Sequence, residues 1–177
     1  GEDTRVVASD LIYPVFITEG SKIKEPINSM PGQYRYSIDE SIILCEELLK
    51  NNINSIILFG IVSKKDETGE ISCNSNSVIP KAIVEIKNKF HDKLFVIADV
   101  CNCEYTSHGH CGTIIDNDVH NDKSLETLAK QSLILAKSGA DALAPSDMMD
   151  GRVNAIREIL DKNQLEKTPI FPYSVKY

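Results

Sequence analysis

Short apolar runs, many of them β-branched, alternate with longer amphipathic stretches along the whole chain. The apolar runs occupy residues 11–17, 55–59, 94–98 and 140–145, and the amphipathic stretches occupy residues 37–51, 78–90, 124–138 and 152–162. A further extended segment at residues 168–174 follows the last amphipathic stretch despite its two prolines. Strands separated by helices imply a parallel sheet with right-handed crossovers. We therefore predict an α/β fold with the element order (βα)₄β.

Sequence signals mark the ends of two of the predicted helices. Ser37 stands where an N-cap is expected, and Asp39 and Glu40 follow it in the first turn, where carboxylates interact favourably with the helix dipole. The helix predicted at residues 124–138 places mostly apolar residues on one face, and Gly139 follows it as a C-terminal stop.

Two architectures are compatible with this element order, an open doubly wound sheet and part of an eight-stranded barrel. No G-x-G-x-x-G or Walker lysine loop follows the first strand, although many open α/β sheets carry such a phosphate-binding signature. Reactive side chains instead follow three consecutive strands, with Asp99 after the third, Ser146 after the fourth and Lys176 after the fifth. In a barrel, chemistry collects at the carboxyl ends of the strands, and an open sheet also binds its ligand there. The missing phosphate loop favours the barrel.

The segment from Asp99 to Gly112 contains three of the chain's five cysteines together with His108 and His110. A C-x-C pair followed by seven residues and one more cysteine offers three thiolates, which are ligands that Zn²⁺ selects. Three protein ligands leave the fourth position of the ion open to substrate or water, as in catalytic zinc sites. Two other interpretations stay open, namely a redox pair of cysteines and small buried side chains beside a strand.

Lys176 is the second chemical clue. A lone lysine is most often a solvated surface charge. At the mouth of a barrel, among apolar residues and near a bound cation, its pKa would be depressed and its amine could attack a ketone to form a Schiff base.

Composition excludes several classes of function. The formal net charge of -7 and the absence of a basic stripe argue against nucleic acid or an anionic membrane as the main partner. Cys45 and Cys73 are isolated in sequence, which does not suggest a disulfide framework and fits a reducing compartment. Residues 1–5 carry no apolar signal core, and no stretch approaches the length needed to span a membrane. We therefore expect a cytoplasmic protein.

Six segments spread over the chain are similar to segments of one known enzyme family. They are residues 10–17, 29–32, 58–60, 99–112, 144–153 and 173–176, and together they cover essentially the whole chain. The two longest are unusual in composition and occur in the correct order. On these segments the chain resembles the porphobilinogen synthase family, also called the 5-aminolevulinate dehydratases.

The resemblance implies a lyase that condenses two 5-aminolevulinate molecules into porphobilinogen, with loss of two waters, in haem and tetrapyrrole biosynthesis. It also implies a TIM barrel with an N-terminal arm, assembled as a homo-octamer. Some family members replace the cysteines with aspartates and use other cations, whereas this chain keeps all three thiols. It is therefore similar to the branch with a catalytic Zn²⁺.

Site residues carry over from the family by position. The metal ligands would be Cys101, Cys103 and Cys111, and Lys176 would be one of two active-site lysines, on the side of the second, A-side substrate. Asp99 would assist proton transfer and Ser146 would hydrogen-bond substrate, unless both only support the metal loop. His108 and His110 are not assigned to the catalytic ion, and either could bind a secondary metal or orient a ligand.

The family continues through three further strands. A TIM barrel typically needs about 250 residues, so residues 1–177 are expected to form the N-terminal portion, about the first five strands, of a single barrel domain. The second lysine, the arginines that recruit substrate carboxylates, an allosteric Mg²⁺ site if one exists, and most of the N-terminal arm would lie outside the chain. We expect the isolated 177-residue chain to be inactive.

Two alternatives remain beside the zinc-dependent lyase. One is a class I aldolase-like enzyme that uses Lys176, with zinc in a structural role. The other is a non-catalytic zinc-binding or assembly module.

Overall fold

The computed structural model describes residues 11–61, 78–100, 118–145 and 150–171, with the backbone alone at 118–124 and 150–152. The strands are β1 (Ile12–Ile17), β2 (Lys24–Pro26), β3 (Tyr34–Tyr36), β4 (Ser55–Gly60), β5 (Phe95–Val100) and β6 (Ala142–Pro145). The helices are α1 (Ile38–Lys50), α2 (Val78–Phe90), α3 (Asp118–Ser138) and α4 (Asp150–Lys162), and a 3-10 turn, His91–Lys93, follows α2. Within these ranges, no helix is long and apolar enough to cross a membrane.

The strands form one sheet with the order β2-β3-β1-β4-β5-β6. All neighbours are parallel except β2 and β3, which are antiparallel. β4, β5 and β6 are each added beside the preceding strand on one side of β1, whereas β3 and β2 lie on its other side. The predicted α/β class and its parallel sheet are confirmed.

β2 and β3 were not expected from the sequence. Each is three residues long, and β2 is exposed throughout, so neither forms the apolar run that a buried parallel strand requires. The turn between them is closed by backbone hydrogen bonds from Ile27 N–H to Gln33 O at 2.9 Å and from Gln33 N–H to Met30 O at 3.0 Å. Gly32 adopts φ 88° in this turn, a conformation that residues with a Cβ rarely adopt.

The predicted fifth extended segment is described only up to residue 171. Ile170 makes a parallel bridge to Leu143 of β6. Leu143 N–H donates to Pro169 O at 3.0 Å, and Phe171 N–H donates to Leu143 O at 2.7 Å. This segment therefore continues the progression of neighbours beyond β6, and residues 172–174 lie outside the described residues.

The main core lies between one face of the sheet and the helices. Consecutive helices pack against each other, α1 on α2, α2 on α3 and α3 on α4, as expected when right-handed crossovers repeat in one direction. Large side chains of both layers are fully buried, including Ile17, Ile56, Leu58, Ile83, Ile86, Leu143, Ile156 and Leu160. Each such side chain contributes about 1.5–3 kcal/mol relative to its exposed state.

We call the opposite side of the sheet the second face, with Phe16, Phe59, Ile97, Asp99 and Ala144 among its residues. Ile97, Ala142 and Ala144 form a smaller buried cluster there, against the partly buried Ile57 and Phe95. Phe16 and Phe59 stack, with ring centroids 5.3 Å apart and ring planes at 21°. Both faces of the parallel strands are thus apolar, which is typical of α/β proteins.

Lys87 of α2 ties that helix to the amino-terminal edge of the sheet. Its Nζ donates to the carbonyls of His91 and Leu94, both at 2.9 Å, and forms a 2.7 Å ion pair with Asp141 Oδ2 just before β6. The same carboxylate oxygen accepts the N–H of Val96 at 2.8 Å. One ion pair therefore joins a helix to two neighbouring strands.

Ser37 lies at the N-cap position of α1, as predicted, but its side chain does not cap the helix. Its hydroxyl donates to Asp39 Oδ1 at 2.5 Å and accepts the N–H of Ile23 at 2.9 Å. Asp39 Oδ2 accepts the N–H of Lys22 at 2.9 Å. The expected cap was wrong in detail, because the tight turn before β2 supplies donors that the serine and aspartate bind instead. At the end of α3, Gly139 adopts φ 115° and stops the helix as predicted.

Candidate functional site

The carboxyl ends of the central strands meet at one edge of the sheet. Ile17 at the end of β1 pairs with Gly60 at the end of β4, and Val100 at the end of β5 pairs with Pro145 at the end of β6. Parallel α/β sheets bind their ligands at this edge, because the loops that follow the strands converge there. We call it the carboxyl edge.

Asp99 is the sequence-predicted site residue that the structure describes. It is the penultimate residue of β5 and pairs with Ala144 of β6. Its neighbours Ala98 and Val100 are buried in the core on the helix side, so alternation along the strand places Asp99 on the second face. The residue is only partly buried. A carboxylate therefore lies at the carboxyl edge, on the second face.

The remaining predicted site residues lie outside the described residues. They are Cys101, Cys103, Cys111, Ser146 and Lys176. The chain leaves β5 at Val100 and β6 at Pro145, and these two residues are register partners. The segments with the first cysteine and the serine therefore begin at neighbouring strand ends.

Metal binding was predicted for cysteines that the structure does not describe. Among the described residues, no group of three or more histidine, cysteine, aspartate or glutamate side chains could hold a metal ion. Cys45 is fully buried in α1, and burial, helped by the Glu46 carboxylate, raises the pKa of its thiol to about 12. Since metal binding requires the thiolate, Cys45 is unsuited to that role.

Arg35 of β3 is a site candidate that the sequence did not reveal. It pairs with Phe16 and therefore lies on the second face, at the carboxyl edge. Its side chain is only 20% exposed. Among the described residues its Nε has no hydrogen-bond partner, and its Nη1 lies 4.0 Å from Glu25 Oε1. The only sequence signal was an arginine between two tyrosines in an alternating segment.

A row of side chains crosses the second face from Arg35 towards Asp99. Phe16 pairs with Arg35 on one side and with Phe59 on the other. Leu58 pairs with Ala98, and continuing this register by one residue brings Asp99 level with Phe59. Three strand spacings separate the two charged residues, or about 14 Å at about 4.8 Å per spacing. A stacked aromatic pair thus lies between a cation and an anion.

Tyr36, the residue after Arg35, is on the opposite face. It is buried in the core, and burial, with smaller contributions from Tyr13, Tyr34 and Glu40, raises the pKa of its phenol to about 12. Its hydroxyl therefore stays protonated near neutral pH, and β3 is anchored to the core by this side chain.

Comparison with known proteins covers the whole chain. A family model described as delta-aminolevulinic acid dehydratase matches residues 1–177. Proteins of that name from Methanothermus sociabilis and Ruminiclostridium josui are each 47% identical to it, over 176 and 175 residues respectively. The chain covers 54% of the first protein and 85% of the second. It thus spans about half the length of most of the curated relatives it matches.

A solved structure from Toxoplasma gondii ME49 is similar in both fold and sequence. It is described as delta-aminolevulinic acid dehydratase (porphobilinogen synthase) in complex with the reaction product porphobilinogen. The match has a TM-score of 0.77 and 36% identity, and covers 99% of this chain and 51% of that one.

Proposed function

Because the chain belongs to the delta-aminolevulinic acid dehydratase family, we propose that the whole protein containing it condenses two 5-aminolevulinate molecules into porphobilinogen. Two waters leave in this reaction, and the product is the pyrrole from which haem and other tetrapyrroles are built. The family match over residues 1–177 is the observation that carries the proposal. The porphobilinogen complex of the Toxoplasma gondii protein supports it.

We also propose that residues 1–177 are the N-terminal portion of a single TIM-barrel domain. The stepwise addition of β4, β5 and β6 on one side of β1, followed by the bridge from Leu143 to Ile170, supports this, since consecutive strands of a barrel are neighbours. The TM-score of 0.77 to the Toxoplasma gondii structure, of which the chain covers 51%, also supports it. In this account the second face lines the barrel interior.

In the proposed mechanism, Lys176 is the nucleophile. Its neutral amine attacks the ketone carbon of one 5-aminolevulinate, and the carbinolamine loses water to form an imine. The protonated imine is a stronger electrophile than the ketone. Asp99 would accept or donate a proton during these steps, because it lies at the carboxyl edge, where parallel α/β sheets bind their ligands. Ser146 would hydrogen-bond substrate and hold it in a reactive orientation.

The donor set fits a zinc ion. Three thiols at Cys101, Cys103 and Cys111 are the soft ligands that Zn²⁺ prefers, and the first of them follows Val100 at the end of β5. When bound, the ion supplies Lewis-acid polarisation of a substrate polar group. The three thiols would hold it with one position left for substrate. His108 and His110 are left to orienting roles around this set.

The partners and the cellular location of the whole protein are part of the same proposal. Its partners would be 5-aminolevulinate and further copies of itself in a homo-octamer, without nucleic acid or membrane, in the cytoplasm. The second lysine, and an allosteric Mg²⁺ site if one exists, would lie in the half of the family's length that this chain does not span.

Trapping the Schiff base tests this proposal. The whole protein is incubated with 5-aminolevulinate and borohydride, and its intact mass and peptide map are recorded. We expect a reduced adduct at Lys176 in the wild type and its loss in K176M, with K167M as a matched control on the exposed surface. A wild type without adduct at Lys176 would overturn the assigned role.

Chelation of zinc separates the lyase from the aldolase-like alternative. We expect loss of porphobilinogen formation after chelation and recovery when Zn²⁺ is restored. Turnover that survives verified zinc removal would favour an aldolase-like enzyme with structural zinc. A protein that binds zinc but forms neither adduct nor porphobilinogen would be a non-catalytic module.

A further inference from the structure

Nε of the Arg35 guanidinium is buried without an acceptor among the described residues. A guanidinium carries five N–H donors, and buried donors are nearly always hydrogen-bonded. Within the described part of the chain, Nε has no acceptor, and the one ion-pair contact is the 4.0 Å approach of Glu25, whose side chain is 53% exposed. An exposed carboxylate at that distance contributes little. The side chain is therefore suited to bind a further acceptor.

The position of Arg35 indicates what kind of acceptor this is. Its register partner Phe16 is 5% exposed and stacks on Phe59, so the surface beside Arg35 is apolar. Electrostatic interactions are stronger in such surroundings than in water. Lys24, the other cation in the described strands, pairs with Tyr36 and lies over the Tyr34 ring at 4.9 Å, on the opposite face. Arg35 is thus the cation that the described strands place on the second face.

We propose that Arg35 binds a carboxylate at the carboxyl edge. A planar guanidinium can donate two parallel hydrogen bonds to the two oxygens of a carboxylate. Such charge-assisted hydrogen bonds are stronger than hydrogen bonds between neutral groups. This proposal rests on the proposed function, because the substrate of that reaction, 5-aminolevulinate, carries a carboxylate. The same chemistry could come from a carboxylate side chain in the rest of the whole protein.

The kinetic part of the experiment uses the whole protein, three variants and two substrates, and the Tm series adds R35M and K24M. R35Q removes the positive charge, and R35K keeps the charge but cannot form two parallel hydrogen bonds to a carboxylate. K24Q is the control, because Lys24 lies on the opposite face of the neighbouring strand β2. The substrates are 5-aminolevulinate and its methyl ester, which lacks the negative charge. The readouts are kcat and KM for pyrrole formation.

If the substrate carboxylate is the partner, R35Q raises KM for the acid by about 10- to 100-fold, and R35K raises it by less. KM for the ester stays within about twofold of the wild type in R35Q, so discrimination between acid and ester is lost. K24Q keeps the wild-type discrimination. This pattern assigns the carboxylate to the substrate.

If a side-chain carboxylate is the partner, R35Q and R35M change the stability of the protein rather than the ratio of acid to ester. The pairing holds the pKa of that carboxylate low, so its contribution to stability is present at neutral pH and is lost on acidification. The difference in Tm between wild type and R35M is then large at pH 7 and shrinks towards pH 4. K24M shows no such pH dependence.

The proposal is overturned if Arg35 variants match the Lys24 variants in both substrate discrimination and the pH dependence of Tm. Failure of the proposed function gives a different result, namely a wild type that makes no porphobilinogen. In that case the Tm series still decides whether Arg35 binds a carboxylate.

Discussion

Replacing Lys87 with methionine tests whether the amino-terminal edge of the sheet serves stability alone. The substitution leaves Asp141 without its cation and Leu94 O without its 2.9 Å donor. Lys87 and Asp141 are 15% and 23% exposed, between the fully buried and the surface case. Breaking a buried pair costs about 3–5 kcal/mol and losing a surface pair costs at most about 1 kcal/mol. We therefore expect the free energy of unfolding to fall by about 2–3 kcal/mol.

The assay is urea unfolding of the whole protein, followed by circular dichroism, with kcat/KM for porphobilinogen formation measured in parallel. K130M is the matched control, because Lys130 forms a 3.1 Å pair with Glu126 in which both side chains are about two-thirds exposed. We expect K130M to cost at most about 0.5 kcal/mol. K87M should leave kcat/KM within about twofold of the wild type, since catalysis is assigned to the opposite edge.

Two results would contradict this role of Lys87. One is a K87M protein no less stable than K130M, which would mean that the ion pair and its backbone contacts contribute nothing. The other is a K87M protein with normal stability and a large loss of kcat/KM, which would place catalysis at the amino-terminal edge of the sheet instead of the carboxyl edge.

Three further predictions concern other described residues. Arg157 donates to the carbonyls of Thr168 at 2.7 Å and Leu165 at 3.0 Å. We therefore expect R157M to lower the free energy of unfolding, measured in urea, by about 1–3 kcal/mol. An unchanged free energy would mean that these hydrogen bonds do not stabilise the protein. The thiol of Cys45 has a pKa of about 12, so we expect it to resist alkylation at pH 8 until urea unfolds the protein. Peptide mass mapping measures the labelling, and labelling of Cys45 in the native protein would contradict this expectation. Hydrogen bonds from Ser37 and Lys22 lower the pKa of Asp39, so its contribution to stability is present above the ordinary value of 3.8 and is lost as pH falls below it. The stability difference between wild type and D39N should therefore shrink on acidification, and one that grows would have the wrong sign.

The parallel strands could be predicted from the sequence because both of their faces are buried. β1, β4, β5 and β6 therefore appear as continuous apolar runs. β2 and β3 could not be predicted, because they are short, partly charged and stabilised by pairing rather than by burial of a run. The start of α3 was placed six residues late, at 124 instead of 118, because residues 118–123 are largely polar and show no helical apolar period.

The candidate site was predictable only where it depends on position along a strand. Asp99 was expected at a strand end because the chain turns polar after an apolar run, and β5 carries it there. Arg35 was missed because its importance depends on its pairing with Phe16, a contact between residues far apart in sequence. Register between distant segments follows from the packing of the whole sheet, which no local pattern encodes. The roles of Cys101 and Lys176 stay predictions.

The stoichiometry of pyrrole formation by the whole protein tests the proposed condensation most directly. Purified, zinc-loaded protein is given 5-aminolevulinate, and substrate consumed and porphobilinogen formed are both quantified, with K176M beside it. We expect two molecules of substrate to be consumed for each porphobilinogen formed, and no product from K176M. Consumption of 5-aminolevulinate without porphobilinogen, or full activity in K176M, would contradict the proposal.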